Sequence, residues 1–518
     1  MRLCDMLDRG AELYPNHPCL SDGTTDWSYA EVRRLSHKVG LALLSSGLQN
    51  GDKVAVYSPN HALAYAAIMG ASRIGGAWVL LNARNAVDEI IYVLNNTKTD
   101  CLFYHSSLSE NVARIRQEVP DLRLTICIDQ ADDGASFVED WIKPFEGEVP
   151  DETPVDSRAV SLMASSGGTT GTPKGIELSH RAVEAATASF LSVMPTGENP
   201  VHLMVAPMTH AAGFTSFPML LVGGKNIFMT DTAPEAIMGM IESHKVTHLF
   251  LPPTLIYVML AHPKVRSYDY SSLKNFIYAA APMSADKLQE AIEVFGPVMT
   301  QTYGQAEAPM ICTYLSPVQH AEALETGNGH RLLSCGRPTP YTRVAIMDDD
   351  GNLLDRNDSG EIVVRGDIVM NSYLNNPEAN AEASAYGWHH TGDVGYIDSD
   401  GYVYIVDRKK DMIITGGFNV FPSEIEQVIW THPGVQDCAV IGVPDEKWGE
   451  AVTAIIEPKP GATVDTEAVI TLCKEKLGSV KAPKAVHIRD QLPRSAVGKV
   501  LKKDIRAEFW RGRDRAVG

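Results

Sequence analysis

The stretch 165–175 reads SSGGTTGTPKG and packs four glycines, three threonines and one lysine into eleven residues. Glycine at this density is costly inside a helix or strand, and Pro173 removes a backbone donor. Its use must therefore lie in what a loop can present. Consecutive Gly and Thr residues turn backbone N–H groups and hydroxyls into one concavity, an anion nest. Lys174 adds a point charge on a flexible stem. The matching chemistry is the grip of a polyphosphate, against the plainer reading of a Gly/Thr surface loop. The stretch is not a Walker A loop, because Pro173 precedes and Gly175 follows Lys174, and no G-x-G-x-x-G is present.

Charge is distributed to suit an anionic ligand. The chain has 518 residues and a formal charge of −19, which argues against a general nucleic-acid binder. Residues 408–518 carry 18 Lys and Arg against 15 Asp and Glu, a net +3, while the preceding 407 residues carry −22. A small basic part thus faces an acidic body, as expected if it brings cations to an anion held between them.

The elements that must hold this loop read as layered α/β. A chain this long predicts two or more domains. DKVAVYSP, VHLMVAPM, THLFLPP, NFIYAAAPM and PVMTQTYG read as buried strands ending in loops, and HALAYAAIMGASRIG as a helix. Alternation of this kind means much parallel sheet, with ligands gathered after the carboxyl ends of strands. Near residue 400 the pattern changes to a compact α+β unit: strand-rich DGYVYIVDRKKDMIITGGFNV, helical PSEIEQVIWTH, strands VQDCAVIGVPD and AVTAIIEP, and helical TEAVITLCKEKL. The expected division is 1–407, a hinge at 408–411, and a mobile lid domain over 412–518. Eight cysteines without a CxxC pair read as reduced, buried thiols of a cytoplasmic protein. The longest stretch free of Lys, Arg, Asp and Glu, 199–224, contains Pro207, His210 and Pro218 and reads as strand, loop and buried helix, not a membrane span.

SSGGTTGTPKG resembles the signature loop of the adenylate-forming superfamily, which includes acyl- and aryl-CoA ligases, firefly luciferase and nonribosomal-peptide adenylation domains. Further motifs follow in that superfamily's order: PMTHAAGF from 207, AAAPM from 279, QTYGQAEA from 301, GEIVVRG from 360, GWHHTGDVG from 387, YIVDRKKDMIITGGFNVFPSEIE from 404 and PRSAVGKVLKK from 493. The resemblance spans essentially the whole chain and is most like bacterial acyl- or aryl-CoA ligases. It implies a two-step reaction. A carboxylate attacks the α-phosphate of Mg-ATP, releasing pyrophosphate, and a thiol, usually of coenzyme A, then displaces AMP. Both partners of the first step are anions, so positioned donors and cations are the main source of rate.

The resemblance also implies residue roles. Ser166, Gly167, Gly168, Thr169, Thr170, Gly171 and Lys174 would hold the β- and γ-phosphates, with Thr169 and Thr170 giving hydroxyls. Tyr303 would stack on adenine, and Ala280 and Gly304 belong to the same cofactor-binding set. Glu307 is the expected Mg2+ ligand. Asp393 would accept from the ribose hydroxyls beside Arg408. Lys499 would reach the carboxylate and α-phosphate during adenylation, with Lys174, Thr170 and Glu307 completing the catalytic set. Lys410 matches the hinge about which the small domain turns, replacing Lys499 by the ITGGFNVFP loop. There Gly416 and Gly417 would let a pantetheine arm pass, and Trp448 would meet the CoA nucleotide.

For the acid, His210 and Phe214 read as gate and wall of an acyl pocket, with Tyr278, Ala279, Ala281, Met283 and Met310 lining the rest. PMTHAAGF lacks the acid with which amino-acid-activating relatives hold an α-ammonium, which argues against an α-amino acid. Fatty, aryl and alicyclic acids all remain open. Three departures from the superfamily pattern stand out. Gly167 stands for a usual Ser or Thr. Ala306 stands for a usual Thr or Ser. Val480 and Ala482 stand where some aryl-CoA ligases place an aromatic and an arginine near CoA. The last weakens the case for CoA and keeps an amide synthetase open; a luciferase-like oxygenase and a non-catalytic nucleotide-binding homologue are further alternatives. The expected partners are the acid, ATP and CoA, with no nucleic acid and no integral membrane span; a homodimer is left open.

Overall fold

A computed structural model describes residues 1–151, 153–165, 173–495 and 498–511. The signature loop over 166–172 lies outside the described residues.

The strands expected from the apolar runs form at Lys53–Tyr57, Val201–Met204, His248–Leu251, Asn275–Tyr278 and Met299–Tyr303, and the Ala-rich segment forms helix Ala62–Arg73. They build two large sheets. One has nine strands, and Lys225–Phe228, Val201–Met204, His248–Leu251, Asn275–Tyr278 and Met299–Tyr303 run parallel within it. The other has eight strands and a parallel core from Val160–Ser165 to Ser136–Phe137. Its far edge is antiparallel, through Gly175–Ser179 and Ser372–Tyr373. Helices Leu3–Leu13, Tyr29–Ser45, Ala62–Arg73, His180–Val193 and Ala211–Leu221 bury their apolar faces in one core with both sheets. Helix Ala211–Leu221 tolerates Pro218 and belongs to the charge-free stretch, which folds as strand, loop and buried helix.

A four-stranded antiparallel sheet follows, of Arg343–Met347, Gly360–Arg365, His389–Ile397 and Val403–Arg408. The next strand, Ile413–Thr415, belongs to a five-stranded sheet with Phe418–Val420, Gly449–Pro458, Val435–Asp445 and Ala485–Ile488. Helices Pro422–Trp430 and Thr466–Lys481 cover that sheet and bury Ile425, Ile429, Val469 and Cys473 in its own core. The fold is thus a large α/β N-terminal domain and a small α+β C-terminal domain, as expected. All eight cysteines are free and buried. Among the described residues no helix is long and apolar enough to cross a membrane.

Candidate active site

The site forms where the nine-, eight- and four-stranded sheets meet, with Lys499 added from the C-terminal domain. Three loops leave the carboxyl ends of parallel strands of the nine-stranded sheet, at 205–210, 279–284 and 304–312, where such sheets collect ligands. Two of them hold strained backbone. Ala280 and Met310 lie in the left-handed region, with φ of 71° and 70°. Strain of this kind persists only where surrounding structure imposes it, and it concentrates at functional sites. Gly304 is required by the turn itself, since a Cβ there would stand 2.7 Å from the Met310 nitrogen.

Tyr303, at the end of its strand, is buried, and its hydroxyl donates to Asp393 Oδ2 (2.6 Å). Gln305 donates from Nε2 to the same oxygen (2.8 Å) and to the Thr391 carbonyl (2.8 Å). Arg408 Nε pairs with Asp393 Oδ1 (2.6 Å). Asp393 points inward because strand His389–Ile397 alternates buried and half-buried residues, and 389, 391 and 393 share the inner face. Burial, and next the Asp393 charge, push the Tyr303 phenol well up, so it remains a donor.

Glu307 lies in the loop that follows Tyr303. Among the described residues, its carboxylate accepts from one donor, the Tyr373 hydroxyl (2.9 Å to Oε1). The Tyr373 ring lies under Lys174, whose Nζ is 4.7 Å from the ring centroid. Lys174 thus stands beside Glu307 across one aromatic side chain.

Lys499 comes from the C-terminal domain. Gly498 (φ 84°) is placed so that a Cβ would approach Thr254 Oγ1, at the start of helix Pro253–Leu260, to 3.0 Å. This seats Gly498 against the large domain. Lys499 is exposed by surface area, yet protein crowds its cleft side. That desolvation, and then Arg408, lower its pKa, while Asp393 and Asp411 oppose them. The ammonium therefore lies within electrostatic reach of the Asp393–Arg408 pair. Lys410 is exposed between the last strand of the four-stranded sheet and the first of the small domain.

The remaining predicted residues divide. His210 precedes helix Ala211–Leu221, bonds through Nδ1 to Thr209 Oγ1 (3.1 Å), and is pushed down to about 4 by burial, which keeps it neutral. Phe214 meets Phe217 edge-on, and with Met310 and Ala279 belongs to the main core. Tyr278 and Met283 sit in a second core. There His320 Nδ1 donates to the Ser316 carbonyl (2.8 Å), so its Nε2 accepts from the Tyr278 hydroxyl (2.9 Å). Tyr278 is thus anchored by its polar end. Ala280 and Ala281 stay open to solvent in part.

Gly416 (φ 57°) and Gly417 (φ 83°) need glycine on conformational grounds. The Gly416 N–H donates to the Trp448 carbonyl (2.8 Å), and a Cβ on Gly416 would meet Trp448 Cε3 at 2.8 Å. Trp448 is 39% exposed, with Lys447 and Lys484 near its ring at 4.7 and 5.9 Å.

Sequence reasoning named neither Tyr373, Gln305 nor Thr254. Gln305 falls inside a quoted motif, but Tyr373 and Thr254 reach the site only through strand pairing and domain packing. Among the described residues no cluster of three or more His, Cys, Asp or Glu could hold a metal by itself.

This fold and sequence have counterparts among known proteins. The chain matches the AMP-binding enzyme family over residues 7–374 and the AMP-binding enzyme C-terminal domain over residues 424–499. It belongs to this family of adenylate-forming enzymes. It is 35% identical to the medium/long-chain-fatty-acid–CoA ligase FadD8 of Mycobacterium tuberculosis H37Rv, over 98% of this chain and 90% of that protein. A feruloyl-CoA synthase of Amycolatopsis is 34% identical, over 97% and 98% of the two chains. The amide bond synthetase McbA of Marinactinospora thermotolerans has a similar structure, with TM-score 0.89 and 28% identity, over 98% of this chain and all of that one.

Proposed function

We propose that the protein is an ATP-dependent carboxylic acid–CoA ligase. The reading is supported by one grouping: Asp393 and Arg408 of the four-stranded sheet, Tyr303 and the following Glu307 of the nine-stranded sheet's loop, Lys174 before the edge of the eight-stranded sheet, and Lys499 of the C-terminal domain are linked by contacts or electrostatic reach. Tyr303 stacks on adenine, with Ala280 and Gly304 shaping the loops around it. Asp393 accepts from the ribose hydroxyls, its carboxylate already aimed by Tyr303, Gln305 and Arg408. Residues 166–171 and Lys174 hold the β- and γ-phosphates, so Lys174 stabilises the leaving pyrophosphate. Glu307 suits Mg2+, an ion that takes one or two carboxylates plus phosphate oxygens and keeps its waters. Bound there, the ion would neutralise phosphate charge. Lys499 draws the acid and the α-phosphate together and stabilises charge developing between them.

In the second step the small domain turns about 408–411, with Lys410 as pivot. Lys499 withdraws, and the Gly416–Gly417 turn faces the cleft for a pantetheine thiol, with Trp448, Lys447 and Lys484 near the CoA nucleotide. Domain movement of this kind is a hinge closure. His210, Phe214, Ala279, Ala281 and Met310 border the acid, with Tyr278 and Met283 supporting them from the second core. The substrate is a fatty, aryl or alicyclic acid.

A second reading, an amide synthetase passing the adenylate to an amine, is favoured by Val480 and Ala482 and by the likeness to McbA. Pyrophosphate release over a panel of acids, with and without CoA, separates the two. CoA-dependent AMP release and a thioester product are expected; amine-dependent release without a CoA response would establish the second reading. No release with any acid would turn the conclusion to a binding protein.

A further inference from the structure

We infer that Tyr373 is a positioning residue that sets the spacing between the metal-side carboxylate and the phosphate-side lysine of the nucleotide site. The inference rests on the ATP-dependent reading above and deepens it.

The argument begins with the backbone. Segment 370–374 runs between the two loops that carry Glu307 and Lys174 and bonds to both. The Met370 N–H donates to the Glu307 carbonyl (2.7 Å), and the Leu374 N–H donates to the Gly175 carbonyl (2.8 Å). Between them, strand Ser372–Tyr373 pairs antiparallel with Gly175–Ser179, with Tyr373 opposite Ile176. Ser372 Oγ also donates to Glu177 Oε2 (2.6 Å). One short strand therefore ties the nine-stranded sheet's loop to the edge of the eight-stranded sheet.

The Tyr373 side chain repeats this bridge one layer further in. Its hydroxyl donates to Glu307 Oε1, and its ring face lies under the Lys174 ammonium. The two contacts use different parts of the residue, the edge oxygen and the π face, so both can hold at once. Its backbone is fixed from behind. Asn380 Oδ1 accepts from the Tyr373 N–H (2.6 Å), and Asn380 Nδ2 donates to the Tyr373 carbonyl (2.9 Å). Asn380 stands on helix Pro377–Ala383, whose start is capped by Asn376.

The contacts have separable consequences. A hydrogen bond to one carboxylate oxygen orients the other toward an incoming cation, and loss of such an outer partner typically weakens metal binding by about 10- to 100-fold. A cation held over a ring is worth a few-fold in an equilibrium. Tyr373→Phe removes only the first contact, and Tyr373→Leu removes both.

The test uses the full chain and no turnover. The melting temperature is followed while Mg2+ is titrated at fixed ATP, and while ATP is titrated at saturating Mg2+. Tyr373→Phe should raise the half-effective Mg2+ by about tenfold or more, with the half-effective ATP at saturating Mg2+ within about twofold of wild type. Tyr373→Leu should also raise the half-effective ATP, by about threefold. A Tyr373→Phe chain that melts like wild type without ligand and keeps the wild-type Mg2+ midpoint overturns the inference, whether or not Tyr373→Leu folds. So does an equal shift of both titrations in Tyr373→Phe, the mark of a merely structural role. A wild-type chain that ATP does not stabilise at any Mg2+ overturns the ATP reading itself, an outcome distinct from either.

Discussion

Replacing Lys502 with Met should destabilise the C-terminal domain in a pH-dependent way. Lys502 begins helix Lys502–Phe509, and its Nζ pairs with Glu426 Oε1 at 2.7 Å; the side chains are 18% and 6% exposed. The same oxygen accepts from the Val440 N–H (2.7 Å). Asp407 and Asp411 also act on Lys502, and Asp411 in turn pairs with Arg506 (2.7 Å). Burial raises the Glu426 pKa to about 6 from the ordinary 4.5; Lys502 opposes the rise and Asp407 adds to it. Asp407 is raised too, by burial, with Lys502 opposing. An acid raised in the folded state binds more protons folded than unfolded. Stability from Glu426 is therefore greatest below about pH 4.5 and falls as pH rises toward 6, by about 2 kcal/mol in the wild type. Without Lys502 the folded value climbs further and the window extends to higher pH. Removing one partner of a buried pair costs about 3–5 kcal/mol when the other stays charged. That cost should appear near pH 8 and shrink at pH 5, where Glu426 takes up a proton. Urea denaturation, with hydrogen exchange in Pro422–Trp430 and Val435–Asp445 as local readouts, measures it. A Glu426→Gln, Lys502→Met double variant should lose most of the added pH dependence. Equal losses at pH 5 and pH 8, or less than about 1 kcal/mol at pH 8, would refute the reasoning. Lys502 is three residues from Lys499, so the same variant should slow adenylation most at high pH.

Two further predictions concern the separate half-reactions. Lys499→Ala should lower acid-dependent pyrophosphate release by two or more decades, about 3 kcal/mol, while a pre-made acyl adenylate still reacts with the thiol; equal loss in both steps would exclude the assigned role. Gly416→Ala places a Cβ against Trp448 at a left-handed φ, so thioester formation should slow more than adenylation, which single-turnover measurement of each step reads out.

Much of this protein is written locally. The apolar runs of Lys53–Tyr57, Val201–Met204 and Asn275–Tyr278 specify buried parallel strands, because strands covered on both faces need continuous apolar residues. The sheet changes between Arg408 and Ile413, so Val403–Arg408, read from the sequence as the start of the small unit, pairs in the four-stranded sheet instead. Ordered motifs also identified the family, since each is a short segment whose backbone chemistry depends on its own residues. Tyr303, Glu307, Asp393 and Lys499 could be named this way.

Their partners could not. Tyr303 and Asp393 are 90 residues apart, and their hydrogen bond depends on how the nine-stranded and four-stranded sheets pack. Tyr373 sits in the polar run NSYLNN, with nothing nearby in the chain to announce that it touches Glu307 and Lys174. Tyr278 reads as a pocket wall by its place beside three alanines, yet its hydroxyl is tied to His320 on helix Pro317–Glu325. The pairing of Lys502 with Glu426 spans 76 residues of the small domain. Sequence by itself determined the elements, the family and the reactive groups, because those follow from neighbours along the chain. Tertiary structure decided which groups aim one another, because burial and charge act through space between residues that the chain keeps far apart.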